Sequence, residues 1–261
     1  MVRIMADDAN RPVKALLTMH EIVSTLDETG RAGVTEVADR LDRPQSVIHD
    51  YLSTLTQLGY IVRIDGKYEL SLQYLKLGRR VRDRIPLYEV SKPEVRQLAE
   101  ESSSESVTLS VEENGMCVAI DVVQSNESIT YDWMLGSYYH MHCSGAGKAI
   151  LANYPQEWIE SILDEHGLPS RTKNTVTDRQ VLHTELEEVR ERGVSFERGE
   201  YRRGLQTISA PIKDASDEIL GALSVSGPAH RMREADVEAE LEDELLSAVN
   251  IIEINYNAHS S

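Results

Sequence analysis

Between residues 35 and 70 the apolar positions change period twice, and each change predicts an element. Val37, Ala38 and Leu41 fall at i, i+1 and i+4 of a short helix, which Asp42-Arg43-Pro44 ends because the residue before a proline is pushed away from helical geometry. Helical spacing resumes at Pro44 or Gln45. Ile48, Tyr51, Leu52, Leu55 and Leu58 share one face and leave Gln45, Ser46, His49, Asp50 and Ser53 on the other. Gly59 stands where a helix C-cap should, and residues 60–64 and 67–70 read as strands joined at the tight-turn pair Asp65-Gly66. Helix, turn, helix, hairpin is the pattern of a winged helix-turn-helix, although an ordinary α+β fragment can produce it too.

The flanking pattern completes one domain and opens another. Residues 13–29 carry Leu16, Leu17, Ile22, Val23 and Leu26 as a helical stripe stopped by Gly30; this helix should support the second helix of the motif. Residues 71–84 are helical in spacing, with Leu72, Leu75 and Leu77 on one side and Arg79, Arg80, Arg82 and Arg84 following. They read as a linker whose arginines either touch DNA phosphate or pair with downstream acid. Pro86 marks a boundary. Beyond it come a helix over 88–101, strands over 107–112 and 116–123 around Asn114-Gly115, a third strand over 128–133, and a helix over 144–153 opened by the SGAGKAI segment. The amides at the start of that helix are free to hold an anion. Further helices are expected over 156–166 and from Asp178 to Gly193, the latter with Val181, Leu182, Leu186 and Val189 inward. Strands over 194–198, 207–213 and 219–226 precede a last helix over 236–256, with Val237, Leu241, Leu245, Val249 and Ile252 on one face. Helices and antiparallel strands are mixed throughout, so the fold class is α+β.

Charge changes the picture. A net charge of -17 argues against nucleic-acid binding until it is divided: residues 1–85 hold 13 Lys+Arg and 12 Asp+Glu, or +1, and residues 86–261 hold 14 and 32, or -18. The acid sits on the second domain, and the reading domain is spared. Seven Lys against 20 Arg, one Phe and this acidity resemble proteins of halophiles; the plainer alternative is an acidic cytoplasmic protein. No apolar run of membrane-spanning length occurs and Asp7 and Asp8 stand where a secretory signal would be apolar, so a cytoplasmic, membrane-free protein is expected. Cys117 and Cys143 lack CxxC spacing and read as reduced thiols.

The PQSVIHDYLSTLTQLGYI stretch, SGAGKAILA, and the block from VTDRQVLHTELEEVRERGVSFERGEYRRGLQTISAPIKDASDEILGALSVSGPAHRM to the terminal helix together resemble the IclR family of transcriptional regulators over nearly the whole chain. The resemblance implies a winged helix-turn-helix DNA-binding domain at 11–72, a linker helix at 73–87, and a GAF-like domain at 88–261. The last would bind a small-molecule effector, an organic acid by preference, and assemble homodimers or homotetramers. Gln45, Ser46 and His49 would approach base edges or phosphates, Ser53 would also belong to the DNA-binding face, and Arg43, Arg63 and Lys67 would hold the backbone of double-stranded DNA. Family effector sites fall on Gly145, Ala146, Glu197, Thr207, Ser224 and Ser226. Amides at Gly145 and Ala146 suit a carboxylate, Ser224 and Ser226 share a strand face, and Glu197 would accept from a hydroxyl or meet a cation. Three positions depart from the family. Asp50 stands where a basic residue is frequent, Thr207 where some members have Cys, and residues 125–139, with Trp133 and Met134, match no effector class and should cover the pocket.

His140, His142 and Cys143 form an HxHC cluster whose two histidines would share a strand face and could bind a transition metal, but no further ligand lies at suitable spacing. SGAGKAI lacks the upstream glycine of a P-loop, and Ala149 replaces its Ser or Thr. The alternative class is a metabolite-binding or thiol-dependent redox domain with a helix-turn-helix used for dimer contacts. The preferred reading has no catalytic residues, no metal and no cofactor.

Overall fold

A computed structural model describes residues 11–124, 135–232 and 234–260 of the chain. The strand expected over 128–133, with Trp133 and Met134, lies outside the described residues. The chain divides into two units between Arg84 and Ile85.

The first unit contains α1 (Lys14–Thr29), α2 (Val34–Arg40), α3 (Gln45–Gln57), β1 (Ile61–Ile64), β2 (Lys67–Leu70) and α4 (Gln73–Arg82). Ile22, Leu26, Val37, Ala38, Ile48, Leu52, Leu55, Ile61 and Tyr68 form its core. Asp65 at φ 50° and Gly66 at φ 81° make the left-handed pair that a two-residue hairpin needs. Ala32 bridges to Tyr68, with amide–carbonyl distances of 3.0 and 2.8 Å, and extends the hairpin by one rung. Three expected core positions are exposed: Leu16 (64%), Leu17 (48%) and Leu58 (59%). The packed face of α1 runs instead through Thr18, Ile22, Thr25 and Leu26. Thr25 can be buried because its hydroxyl donates to the Glu21 carbonyl at 2.8 Å, inside the helix. Within the segment 73–87 expected as a linker, α4 ends at Arg82 and Pro86 opens the next helix.

The second unit runs α5 (Pro86–Glu101), β3 (Ser106–Glu113), β4 (Met116–Gln124), β5 (Tyr138–His140), a 3-10 turn (Met141–Cys143), α6 (Gly145–Leu151), α7 (Gln156–His166) and α8 (Arg179–Arg192). It continues through β6 (Ser195–Glu197), β7 (Leu205–Lys213), β8 (Ile219–Pro228), α9 (Ala229–Met232) and α10 (Ala235–Ser260). Its strands form one antiparallel sheet in the order β5-β4-β3-β8-β7-β6. On one face Val107, Leu109, Ile208, Ala210, Leu223 and Val225 pack on Val95 and Leu98 of α5 and Leu241, Leu245 and Ile252 of α10. The other face is roofed by α6, with α7 and α8 outside it. Helices on both sides explain why β8 is buried from Gly221 to Pro228 rather than on alternate residues. Val181, expected inward, is 55% exposed, while Leu182, Leu186 and Val189 are buried. Among the described residues no helix is long and apolar enough to cross a membrane.

Candidate functional site

Directly opposed residues of antiparallel strands share a face, so the strand registers assign the roofed side residue by residue. Ser106, Ser226, Thr207 and Glu197 form one row across β3, β8, β7 and β6. Thr108, Ser224, Ser209 and Ser195 form the next. Between them, Val107, Val225 and Ile208 point to the aliphatic core. One side of the same strands is therefore paved with small hydroxyls and the other with hydrocarbon. On β4 the register shifts by one residue between Leu109 and Ser110, and this keeps Ala119 and Cys117 opposite Ser110 and Glu112 on the roofed side.

Helix α6 lies close against this hydroxyl face. A Cβ added to Gly145 would stand 2.5 Å from Ser209 Oγ and 3.1 Å from Thr207 Cγ2, so only glycine admits the approach. Ser195 Oγ donates to the Gly145 carbonyl at 2.6 Å. Ser144 caps the helix: its Oγ accepts from Gly147 N at 3.2 Å and donates to the His140 carbonyl at 3.1 Å. Lys148 N goes to the Ser144 carbonyl at 2.9 Å, which leaves the Gly145 and Ala146 amides outside the helix ladder. Between roof and sheet lies a cavity of about 20 Å³ lined by Thr108, Ser110, Cys117, Tyr139, Ser144, Gly145, Ala146, Thr207, Ser224 and Ser226. Among the described residues its lining carries no ammonium, guanidinium or carboxylate. Thr207 and Ser226 hydroxyls stand 3.0 Å apart, and those of Ser209 and Ser224 2.7 Å, so each pair satisfies itself across β7 and β8.

Five of the six residues assigned by resemblance, Gly145, Ala146, Thr207, Ser224 and Ser226, line this cavity. Glu197 does not. It is buried on edge strand β6, and its Oε1 accepts the amides of Glu200 and of Tyr201, the latter at 2.9 Å. Burial, helped by the neighbouring Glu200 charge against those amides, pushes its carboxyl up to about 7. Sequence reasoning missed Thr108, Ser110, Cys117, Tyr139 and Ser144. The alternation Ser106, Thr108, Ser110 with Val107 and Leu109 between was the legible signal for the first two.

Behind the roof lies an ion cluster that spacing did not announce. Lys148 of α6 is fully buried, and its ammonium donates to Glu185 Oε1 at 2.5 Å, Glu200 Oε1 at 2.7 Å and the Phe196 carbonyl at 2.9 Å. Burial alone would lower this ammonium; Glu200 and Glu185 outweigh it and hold it above its ordinary value. Glu185, Glu197 and Glu200 each keep one buried oxygen, Oε2, without a hydrogen-bond partner among the described residues.

The HxHC segment does not form the expected strand face. His140 ends β5 and His142 falls in the 3-10 turn, where its ring nitrogen lies 3.3 Å from the Pro169 carbonyl. Burial lowers His142 to about 4. Among the described residues, no group of three or more His, Cys, Asp and Glu could hold a metal. Cys117 and Cys143 are buried and free, and burial pushes both thiols up to about 12, so neither supplies the thiolate that redox chemistry needs.

In the first unit Gln45, Ser46, His49 and Ser53 are exposed on α3, and Arg63 and Lys67 are exposed on the hairpin. The Arg63 guanidinium also stands 5.6 Å from the centre of the Tyr68 ring. Arg43 is half-buried and pairs with Glu21 at 2.7 Å, so this cation is already engaged within the fold.

Two family models match the chain: the IclR helix-turn-helix domain over residues 20–65 and the bacterial transcriptional regulator IclR C-terminal domain over residues 57–253. The probable HTH-type transcriptional regulator ArcR of Halobacterium salinarum is 27% identical over 248 residues, 94% of each chain. The acetate operon repressor of Salmonella typhimurium is 30% identical over 234 residues, 88% of this chain and 85% of that one. The crystal structure of an IclR homolog from Microbacterium hydrocarbonoxydans, complexed with 4-hydroxybenzoate, shares the fold. It covers 94% of this chain and 99% of that one with a TM-score of 0.77 at 23% identity.

Proposed function

The chain belongs to the IclR family of transcriptional regulators, and on that premise we propose which residues read DNA and which hold the effector. It is a DNA-binding regulator with an effector-binding C-terminal domain, and not an enzyme. In the first unit Gln45, Ser46, His49 and Ser53 meet base edges, while Arg63 and Lys67 hold phosphates. Arg43 reaches DNA only by exchanging its Glu21 partner for phosphate.

In the second unit the effector is a small carboxylate held between α6 and the hydroxyl face. The observation that carries this is a cavity that, among the described residues, is lined by many hydroxyls, two amides outside the helix ladder and no charged side chain, which suits an anion bound by hydrogen bonds. The 4-hydroxybenzoate held by a solved IclR homolog is such an acid. A volume of about 20 Å³ admits one or two waters, so the acid must part the Thr207–Ser226 and Ser209–Ser224 pairs and move α6 against β7 and β8. Glu197 acts at one remove, by fixing the backbone at Glu200 and Tyr201. The protein works in the cytoplasm as a homodimer or a dimer of dimers. Leu75, Leu77 and Val81, exposed on α4, and Leu72 just before it support a self-interface there.

The test is fluorescence anisotropy of labelled DNA from upstream of the gene, titrated with a panel of small carboxylates that includes 4-hydroxybenzoate. At least one acid should change DNA affinity of the wild type at least fivefold and leave Ser224→Ala/Ser226→Ala unmoved. The double variant should bind DNA alone as the wild type does. An unaltered response in the variant would remove both serines from the site.

A further inference from the structure

Helix α3 has an outward face unlike a phosphate-binding surface. None of its 13 residues is Lys or Arg. Opposite the buried Ile48, Leu52 and Leu55, the residues Ser46, Asp50, Ser53 and Gln57 recur at helical spacing and form the outermost stripe. A carboxylate stands near the middle of it. The Asp50 side chain is 87% exposed, and among the described residues its ionic neighbour is His49, with Nδ1 3.7 Å from Oδ1.

A reading helix in the major groove has phosphates along both rims and base edges on the floor. A carboxylate turned to the rims is repelled, so it is tolerated only where the floor offers a donor. Guanine shows two acceptors there, thymine an acceptor and a methyl, and adenine an acceptor beside its amino group. Cytosine shows its N4 amino group and no acceptor. We infer that Asp50 is a base-reading residue that selects cytosine through its N4 amino group and rejects guanine and thymine, while cations outside α3 hold the phosphates. The inference rests on the DNA-binding function and goes beyond it. Ser46 and Ser53 on either side of Asp50 can donate or accept and so discriminate weakly, and the His49 ring beside it reads its own base edge, so at the base that Asp50 faces the carboxylate makes the choice.

Selection from a random-sequence duplex pool with the full chain tests this, comparing wild type, Asp50→Asn and Asp50→Ala. The side chain is exposed, so all three should fold alike. The wild type should enrich cytosine at one position of its site by at least about fivefold over guanine and thymine. Asp50→Asn should move that position to adenine, which pairs with an amide through N6 and N7. Asp50→Ala should lose the preference there, keep the flanking bases, and bind all DNA more tightly because a repelled charge is gone. Identical preferences in the three proteins, with only a uniform change in affinity, would overturn the inference and leave the DNA-binding reading intact. Failure of the wild type to enrich any sequence would overturn both.

Discussion

The Lys148 ammonium has no solvent contact and is surrounded by carboxylates from segments 37 and 52 residues further along the chain. Removing it leaves Glu200 buried without its counter-charge. Lys148→Met should therefore destabilise the second unit by about 3–5 kcal/mol, the cost of breaking a buried pair from one side; urea denaturation measures it. Glu197 titrates within the same cluster, facing Glu200, Tyr201, Cys143 and Lys148. Its folded value, about 7, lies above the 4.5 of an unperturbed carboxyl. The folded state thus keeps a proton that the unfolded chain gives up. The stability it contributes is complete below pH ~4.5 and is lost as pH rises through ~7, a change of order 3 kcal/mol. Glu197→Gln mimics the protonated form, so melting curves should show the variant gaining on the wild type between about pH 5 and 7.5 and holding level above. A constant difference across that range would show that Glu197 does not hold the proton.

At the scale of elements, the close contact between α6 and β7 governs the site. Gly145 is required by space and not by backbone conformation, since its Cβ would meet Ser209 Oγ at 2.5 Å. Gly145→Ala should push α6 off the sheet, cost about 1–3 kcal/mol by overpacking, and weaken effector binding before DNA binding is affected. Denaturation and anisotropy on the same preparation separate the two effects. Much of this element was legible beforehand. The SGAGKAI start, Asp178 as the N-cap of α8 accepting from Gln180 and Val181 amides, and both Asp-Gly and Asn-Gly turns are local signals written in neighbouring residues. Leu16, Leu17 and Leu58 misled the reading because periodicity reports which residues could share a face, whereas the packing partners decide which face is used.

Across the whole molecule, charge is divided between the units: +1 over residues 1–85 and -18 over the rest. Salt acts on the two in opposite ways. Screening relieves repulsion within the acidic unit, so its melting temperature should rise between about 0.1 and 2 M KCl. DNA affinity should fall over the same range as counterions are released, and Arg63→Ala and Lys67→Ala should each reduce the log–log salt slope by about 0.9 without altering sequence preference. A melting temperature indifferent to KCl would end the halophilic reading of the composition.

The amino-acid sequence by itself determined most of the helices and strands, the helix-turn-helix with its wing and the α+β class, because caps, turns and periodicities are set by residues within a few positions of one another; the short β5 and α9 escaped it, and the family came from the resemblance of whole motifs. It also carried the alternation of hydroxyl and aliphatic residues along β3, β7 and β8. Tertiary structure alone decided that these alternations line up in register into one hydroxyl face, and that Glu197 is held by the Glu200 and Tyr201 amides outside the cavity lining. It alone brought Glu185 and Glu200 to Lys148, and it scattered the HxHC segment into a strand end and a turn. Those outcomes depend on strand register and on contacts between residues far apart in the chain, and no local pattern encodes the distance between them.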